Sequence, residues 1–258
     1  MITPSQAWKT DRSCYVHLKG GLGNQLFQIA AGYAHCRRHG LRLELSRESQ
    51  GRLAKWTGPT AQCAKYVVDR PTDERYPYEE PTFGFRPIPP QASTLSGFFQ
   101  SSRYFEDCAD EIRALFACSH GELDAQGIVV HVRRGDYTAL LSIHGFLTDD
   151  YYARAVALAL SLVPDGHLVI FSDDLEYCRG MTCFTENPHT FVEESDTSLA
   201  LGRMSQGRNF ILSNSSFSWW AAWLASGSIV VVPDRWLGPG GPQDFEDIYE
   251  PSWLRIPC

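Results

Sequence analysis

Two adjacent arginines follow an apolar run in the segment His-Val-Arg-Arg-Gly-Asp-Tyr at residues 131–137. If the run is a strand, His131 and Arg133 point to the same face. Guanidinium groups stay charged and bind phosphate oxygens in a bidentate manner, so Arg133 and Arg134 predict a local anion site. Two plainer interpretations stay open. Arg134 pairs with Asp136 or another surface carboxylate, and His131 is an ordinary core histidine.

A second polar segment precedes an apolar run, in Ser-Asn-Ser-Ser-Phe-Ser-Trp-Trp-Ala-Ala-Trp-Leu at residues 213–224. Hydroxyls and free N–H groups at a helix N-terminus bind anions without any net charge. We therefore expect the pyrophosphate of a nucleotide to lie between Arg133 and the helix start at 215–218. Alternatively, Ser216 or Ser218 only caps the helix, and the tryptophans only fill the core.

A glycine-rich turn, Gly-Gly-Leu-Gly-Asn-Gln at residues 20–25, follows a strand and opens a helix. Gly21 and Gly23 fit the first two glycines of a dinucleotide fingerprint, but Leu26 occupies the third position. NAD(P) binding is therefore disfavoured. Two interpretations remain: a tight turn that requires positive φ, and a turn that brings substrate to backbone N–H groups and the Asn24 amide.

Acidic residues form two further candidate features. Asp173 and Asp174 end a strand, which places them on the ligand edge of a parallel sheet. A metal site there is disfavoured because no second set of ligands has suitable spacing. Asp196 opens a helix, where a carboxylate either interacts with the helix dipole or accepts the two N–H donors of guanine.

Composition limits the function classes. The 258 residues carry 23 Lys and Arg against 30 Asp and Glu, a net charge of −7. An acidic chain is a poor nonspecific nucleic-acid binder, so any anion must be held locally. Residues 1–12 lack the apolar core of a secretory signal, and no run is long enough to span a membrane. We expect a cytoplasmic protein whose eight cysteines are mostly buried, reduced thiols.

Apolar strands that alternate with helices predict an α/β protein with parallel sheets covered on both faces. Helices are expected over 24–39, 104–116, 149–162, 196–206 and 218–225, and strands over 14–19, 41–45, 127–132, 167–172, 190–193, 209–213 and 229–232. Residues 51–100 are expected to be mostly loop. The economical architecture is two Rossmann-like halves, 1–120 and 121–258, with ligands bound in a cleft between them.

The motifs at 20–32, 131–137, 171–174 and 213–224 together resemble the α-1,2-fucosyltransferases of glycosyltransferase family 11. The resemblance implies a GT-B-like fold, GDP-β-L-fucose as donor, inversion at the anomeric carbon and no required metal or cofactor. Arg133 would clamp the β-phosphate, and Asn24 would face the fucose and the acceptor. The donor-site residues implied are Gly21, Gly23, His131, Arg133, Arg134, Asp173, Asp196, Asn214, Ser215, Ser216 and Phe217. Of these, His131 and Asp196 would contact the guanosine, and Ser215, Ser216 and Phe217 the diphosphate.

The expected activity is transfer of L-fucose to the 2-hydroxyl of a terminal galactose, with a galactose-terminated glycan as acceptor. The alternatives are a transferase that uses another nucleotide sugar and a non-catalytic nucleotide-sugar or glycan-binding protein. Residues 51–100 are the expected region of acceptor choice. Asp136 and His17 are candidates for a catalytic base, which stays unassigned. Peripheral membrane association through a lipid-linked acceptor also stays open, as does the oligomeric state.

Overall fold

The computed structural model describes residues 12–49, 52–53, 56–118, 123–135, 141–145, 147–225 and 227–258. The chain divides into two compact units, which are Met1–Phe116 (the first unit) and Ala117–Cys258 (the second unit). Each unit contains its own sheet. All eight cysteines lie within the described residues, and they are free thiols.

The first unit is built around strand β1. Its strands are Ser13–Leu18 (β1), Arg42–Ser49 (β2), Arg52–Leu53 (β3), Val67–Val68 (β4), Pro77–Glu79 (β5) and Thr94–Ser96 (β6). Its helices are Leu22–His39 (α1) and Ala109–Leu115 (α2), with 3₁₀ turns at Gly58–Tyr66, Ser102–Tyr104 and Glu106–Cys108. The sheet order is β3-β2-β1-β6-β5, and β4 pairs with β2. Strand β1 is parallel to both β2 and β6, whereas β2 and β3 are antiparallel.

Helix α1 connects the parallel strands β1 and β2, and glycines define both of its ends. Gly21 is the extended N-cap residue, and Gly40 adopts the left-handed conformation at φ 62°. The Gly40 N–H donates to the carbonyl of Cys36, which satisfies one of the last orphan acceptors of the helix. Arg37, Arg38 and His39 occupy the last turn, where cations are favoured by the helix dipole.

The second unit alternates strands and helices throughout. Its strands are Gly127–Val132 (β7), His167–Ser172 (β8), His189–Phe191 (β9), Asn209–Ile211 (β10), Ile229–Pro233 (β11) and Leu254–Ile256 (β12). Its helices are Leu141–His144 (α3), Asp149–Leu162 (α4), Leu175–Arg179 (α5), Thr182–Thr185 (α6), Thr197–Met204 (α7) and Ser216–Ala225 (α8), with a 3₁₀ turn at Glu246–Ile248.

The sheet of the second unit has the order β12-β11-β10-β7-β8-β9, and every one of these pairings is parallel. Strands β8 and β9 lie on one side of β7, and strands β10, β11 and β12 lie on its other side. If β7 is counted as strand 1, the order is that of a dinucleotide-binding Rossmann sheet. The connections reverse direction between β7 and β10. In open parallel sheets a ligand binds outside the carboxyl ends of the strands at such a switch point.

The two faces of β7 have different neighbours. Ile128, Val130 and Val132 belong to the core cluster that includes Tyr151 and Ala155 of α4. Because side chains alternate along a strand, His131 points to the opposite face. The sheet therefore buries its apolar side under α4 and places His131 on the other side, at the carboxyl end of the strand.

The α/β class is confirmed, and each of the two units has its own sheet built mainly from parallel strands. Strands β7 and β8 and helix α4 have the bounds that their apolar runs predicted. The expectation of mostly loop over 51–100 was incomplete, because this segment supplies β5 and β6 to the sheet. The helix expected over 104–116 is α-helical only from Ala109.

Candidate functional site

The carboxyl ends of β7 and β10 are joined by a buried hydrogen bond. His131 Nδ1 lies 2.7 Å from Ser213 Oγ, and both side chains are buried. The His131 ring also packs against Phe217 in the first turn of α8, with 5.5 Å between the ring centroids. His131 thus ties the end of β7 to the N-terminus of α8, directly at the switch point of the sheet.

The His131 imidazole is neutral at physiological pH. Burial lowers its pKa to about 3, and the nearby positive charge of Arg133 acts in the same direction. A neutral imidazole has one donor and one acceptor nitrogen. His131 can therefore contribute a directed hydrogen bond to a ligand or to Ser213, but no positive charge for a phosphate.

Arg133 is held by a carboxylate from the neighbouring strand. Asp173 follows β8, its Oδ2 lies 2.9 Å from Arg133 Nη1, and its Oδ1 accepts a 2.9 Å hydrogen bond from the Arg134 backbone N–H. The two carboxylate oxygens of Asp173 therefore hold the segment after β7 in position. Gly135 permits this approach, since a Cβ there would lie 2.5 Å from Asp173 Oδ2.

Arg134 has different surroundings from Arg133. Its guanidinium lies over the ring of Tyr177, 3.4 Å from the centroid, and its Nε is 3.4 Å from Asp174 Oδ2. The Tyr177 hydroxyl donates to the Asp149 carboxylate. Burial and this hydrogen bond raise the pKa of Tyr177 to about 12. Arg134 thus has the surface carboxylate partner that the plainer interpretation expected, and this partner is Asp174.

The N-terminus of α8 is capped by Ser215. Its Oγ accepts from the Phe217 N–H at 3.3 Å, so the capping residue is neither Ser216 nor Ser218 as the alternative interpretation had it. The Ser218 hydroxyl donates instead to the carbonyl of Ser215, at 3.2 Å. Ser216 and Phe217 are partly exposed at the start of the helix, where N–H groups favour an anion.

Asn214 and Asp196 both have structural contacts. The Asn214 amide donates to the carbonyls of His144 and Trp236, at 2.5 and 3.1 Å, and so connects the end of α3 to the segment after β11. Asp196 is the N-cap of α7 and accepts from the backbone N–H groups of Ser198 and Leu199. These contacts agree with the ordinary capping role for Asp196. They direct the Asn214 donors towards protein carbonyls.

The glycine-rich turn of the first unit is ordered by side-chain amides. Gly20 has φ 77°, so the positive φ expected for this turn is present. Gln25 Nε2 donates to the carbonyl of Gly20 at 2.9 Å. Asn24 Oδ1 accepts a 2.7 Å hydrogen bond from Gln100 Nε2. Gly21 is the N-cap and Gly23 is buried in the first turn of α1.

The last expectations from the sequence concern the candidate catalytic bases, a metal site and a membrane-spanning helix. His17 lies on β1, and partial burial of its ring lowers its pKa. Asp136, the other candidate base, lies outside the described residues. Among the described residues, no cluster of three or more His, Cys, Asp or Glu could hold a metal ion. Within the same residues no helix is long and apolar enough to cross a membrane.

Comparison with known proteins decides the family. The model of glycosyl transferase family 11 matches residues 65–257, about three quarters of the chain. The chain belongs to glycosyl transferase family 11.

The relatives of this family 11 chain include bacterial and mammalian enzymes. An α-1,2-colitosyltransferase of Escherichia coli is 28% identical over 93% of this chain and 97% of that protein. The galactoside α-(1,2)-fucosyltransferase 1 of Homo sapiens is 24% identical over 94% of this chain and 73% of that protein. Among solved structures, the fucosyltransferase NodZ from Bradyrhizobium matches at a TM-score of 0.44 and 14% identity, over 90% of this chain and 97% of that chain.

Membership in family 11 makes the chain a fucosyltransferase-like glycosyltransferase, which acts on a nucleotide-sugar donor and a glycan acceptor. The structure brings His131, Arg133, Asp173 and the start of α8 together at one edge of the second unit's sheet. Sequence reasoning missed Tyr177 and Gln100. Tyr177 lies in α5, but its stacking partner Arg134 is in the segment after β7, so no local signal marks the contact. Gln100 carried no such signal, because its partner Asn24 is 76 residues away.

Proposed function

We propose that this glycosyltransferase moves L-fucose from GDP-β-L-fucose to the 2-hydroxyl of a terminal galactose, forming an α-1,2 linkage with inversion. The observation that carries the proposal is the cluster at the carboxyl ends of β7, β8 and β10. There Arg133 pairs with Asp173, and His131 contacts Ser213 and Phe217 in the first turn of α8. This arrangement supplies one positioned guanidinium and one uncharged anion site at the switch point of the sheet. In a chain of net charge −7, such a local cluster is what a diphosphate requires.

Each donor-site residue has a proposed role. Arg133 contacts the β-phosphate, while Ser215, Ser216 and Phe217 present hydroxyl and backbone donors to the diphosphate. His131, as a neutral hydrogen-bonding group, and Asp196 contact the guanosine. Asp173 and Arg134 act through the segment they order rather than on the phosphate. Asn214 holds the end of α3 and the segment after β11.

On the acceptor side, Gly21, Gly23 and Asn24 have proposed contacts with the fucose and the acceptor. The basis is the motif position of the turn together with its observed order. Gly20 and Gly21 bring the chain into helix α1, whose first turn holds Asn24. A side-chain amide there can donate to a sugar hydroxyl and needs no ionisation to do so.

The chemistry follows from where charge develops. Breaking the bond between fucose and phosphate leaves negative charge on GDP and an oxocarbenium-like sugar. Donors positioned at the β-phosphate stabilise that charge, and one such donor is typically worth about 2.7–4 kcal/mol. Arg133 and the start of α8 can supply this stabilisation without a metal, and we propose that the reaction requires none. Inversion requires the galactose hydroxyl to attack from the face opposite the leaving GDP.

The test is incubation of the purified protein with GDP-fucose and lactose in EDTA, with the product linkage determined by NMR. We expect an α-1,2-fucosylated galactose. Arg133→Ala should reduce turnover by about 10²–10³-fold, whereas Arg208→Ala, an exposed arginine of the same unit, should not. Absence of product with any galactoside would contradict the proposed activity. Full activity of Arg133→Ala would contradict the phosphate contact alone.

A second candidate donor carries colitose, a sugar that lacks the 3-hydroxyl of fucose. The 28% identity to an α-1,2-colitosyltransferase over 97% of that protein favours it. A site that hydrogen-bonds a sugar hydroxyl discriminates strongly against the deoxy sugar, because its polar groups are left unpaired. Competition between GDP-fucose and GDP-colitose for one acceptor therefore separates the two candidates through the ratio of kcat/KM values.

A further inference from the structure

The corner after strand β6, residues 97–100, contains a strained buried residue. Phe99 is fully buried and has φ 52°, in the left-handed region that bulky side chains rarely adopt. Such a conformation persists only where the surroundings hold it, and it recurs at functional positions.

Glu80 holds the corner. Its Oε2 accepts from the backbone N–H groups of Phe98 and Phe99, at 2.6 and 2.9 Å. Its Oε1 accepts a 3.2 Å hydrogen bond from the Tyr104 hydroxyl. Gly97 lets the carboxylate approach, since a Cβ at that position would lie 2.5 Å from Glu80 Cβ. The Glu80 carboxylate thus offsets the strain at Phe99 and fixes the position of the backbone that leads into Gln100.

The corner places Gln100. This side chain is buried, and its Nε2 donates to Asn24 Oδ1 at 2.7 Å. With Oδ1 accepting from Gln100, Asn24 Nδ2 lies on the other side of the amide, over Gly20, where an added Cβ would be 2.5 Å from it. Gln100 therefore fixes the orientation of the Asn24 amide, with Oδ1 towards Gln100 and Nδ2 towards Gly20.

We propose that Gln100 is a positioning residue that orients the Asn24 amide with Nδ2 as the donor to the sugar substrates, and that Glu80 holds the corner that presents it. The inference rests on the proposed function, in which Asn24 contacts fucose and acceptor. A sugar hydroxyl or ring oxygen then accepts from Asn24. Reversal of the amide would present an acceptor oxygen at the same position.

The test uses Gln100→Glu, with Gln91→Glu as the matched control at an exposed glutamine of the same unit. A carboxylate at position 100 can only accept, so it binds Asn24 Nδ2 and reverses the Asn24 amide. We expect kcat for transfer to fall about 10- to 100-fold, in the range that misplacement of a catalytic group by about 1 Å produces. The affinity for GDP, which lacks the sugar that Asn24 contacts, should stay within about twofold, because Arg133 and α8 are unchanged.

A second variant and a spectroscopic readout test the orientation directly. Asn24→Asp still accepts from Gln100 but presents oxygen in place of Nδ2, so its kcat should fall like that of Gln100→Glu. In ¹H–¹⁵N spectra, the Asn24 side-chain amide signals, assigned by their loss in Asn24→Asp, should move in Gln100→Glu and stay in Gln91→Glu.

Three outcomes are distinguishable. Wild-type kcat in a folded Gln100→Glu protein, or unmoved Asn24 signals, overturns the positioning role while the transferase activity stands. If Gln100→Glu does not fold, wild-type kcat in Asn24→Asp overturns it. If the wild-type protein does not turn over GDP-fucose, the proposed function fails, and the role for Asn24 fails with it.

Discussion

Replacement of Gly135 by alanine tests whether Asp173 orients Arg133. The new Cβ would lie 2.5 Å from Asp173 Oδ2, and ordinary contact begins at 3.4 Å, so the oxygen must move by about 0.9 Å. Asp173 has little freedom to yield, because its other oxygen accepts from the Arg134 N–H. The same Oδ2 is 2.9 Å from Arg133 Nη1, and this distance would grow to as much as about 3.8 Å.

Gly135→Ala should lower the free energy of unfolding only moderately but should lower kcat/KM more strongly. A hydrogen bond to a charged group contributes about 1.5–3 kcal/mol, but the Arg133 and Asp173 side chains are 33% and 26% exposed. We therefore expect about 1 kcal/mol of lost stability, reduced further because alanine lowers the conformational entropy of the unfolded chain. Loss of the contact that orients Arg133 should lower kcat/KM for the donor by about 10- to 100-fold, the range that misplacement of a binding group by about 1 Å produces.

The assay is initial-rate kinetics with GDP-fucose and lactose, combined with thermal unfolding. A double-mutant cycle with Asp173→Ala supplies the control. Once the carboxylate is removed, Gly135→Ala has nothing to displace and should change kcat/KM by less than about twofold. The reasoning is refuted if Gly135→Ala alone retains wild-type kcat/KM. It is refuted equally if the two substitutions are additive, because the added methyl group would then act elsewhere.

Two further predictions concern His131 and Tyr177. The pKa of His131 is lowered from 6.5 to about 3 in the folded protein. Between these two pH values the imidazole is protonated only in the unfolded state. The free energy of unfolding should therefore decrease as the pH falls from 6.5 towards 3. In His131→Gln that contribution should be absent, as chemical denaturation at several pH values can show, with exposed His189→Gln as the control. Tyr177→Ala removes the ring beneath Arg134 and should weaken GDP binding several-fold in calorimetric titration. Tyr177→Phe keeps the ring and should change the affinity for GDP by less than about twofold. Equal effects of the two substitutions would exclude the stacking role.

The fold of the second unit could be predicted largely from local patterns. Strands β7 and β8 are continuous apolar runs, and Thr148 caps α4 through the Tyr151 N–H, as a threonine before a helix predicts. In the first unit, β5 and β6 are only three residues long and show no periodicity. Strand β6 depends on pairing with β1, and β5 depends on pairing with β6, which are non-local contacts that no sequence window contains.

The candidate site was predictable in its residue types but not in its connections. Arginines after a strand and hydroxyls before a helix predicted an anion site, because charge and helix ends act locally. The double contact of Asp173 with Arg133 and Arg134 depends on β7 and β8 being neighbours in register. The contact between Gln100 and Asn24 depends on a left-handed phenylalanine, which no propensity predicts.

Helix α8 combines an anion-binding end with a tryptophan cluster. The rings of Trp219 and Trp223 stack with 6.0 Å between centroids and 13° between planes, and Trp220 meets Trp219 edge-on at 5.1 Å. Trp219 lies one turn after Ser216, and its Nε1 donates to the Ile248 carbonyl at 2.7 Å. The indoles are close enough to exchange excitation energy and are buried away from solvent quenching. The chain therefore contains an intrinsic fluorophore, attached to the helix whose first turn is the proposed diphosphate contact.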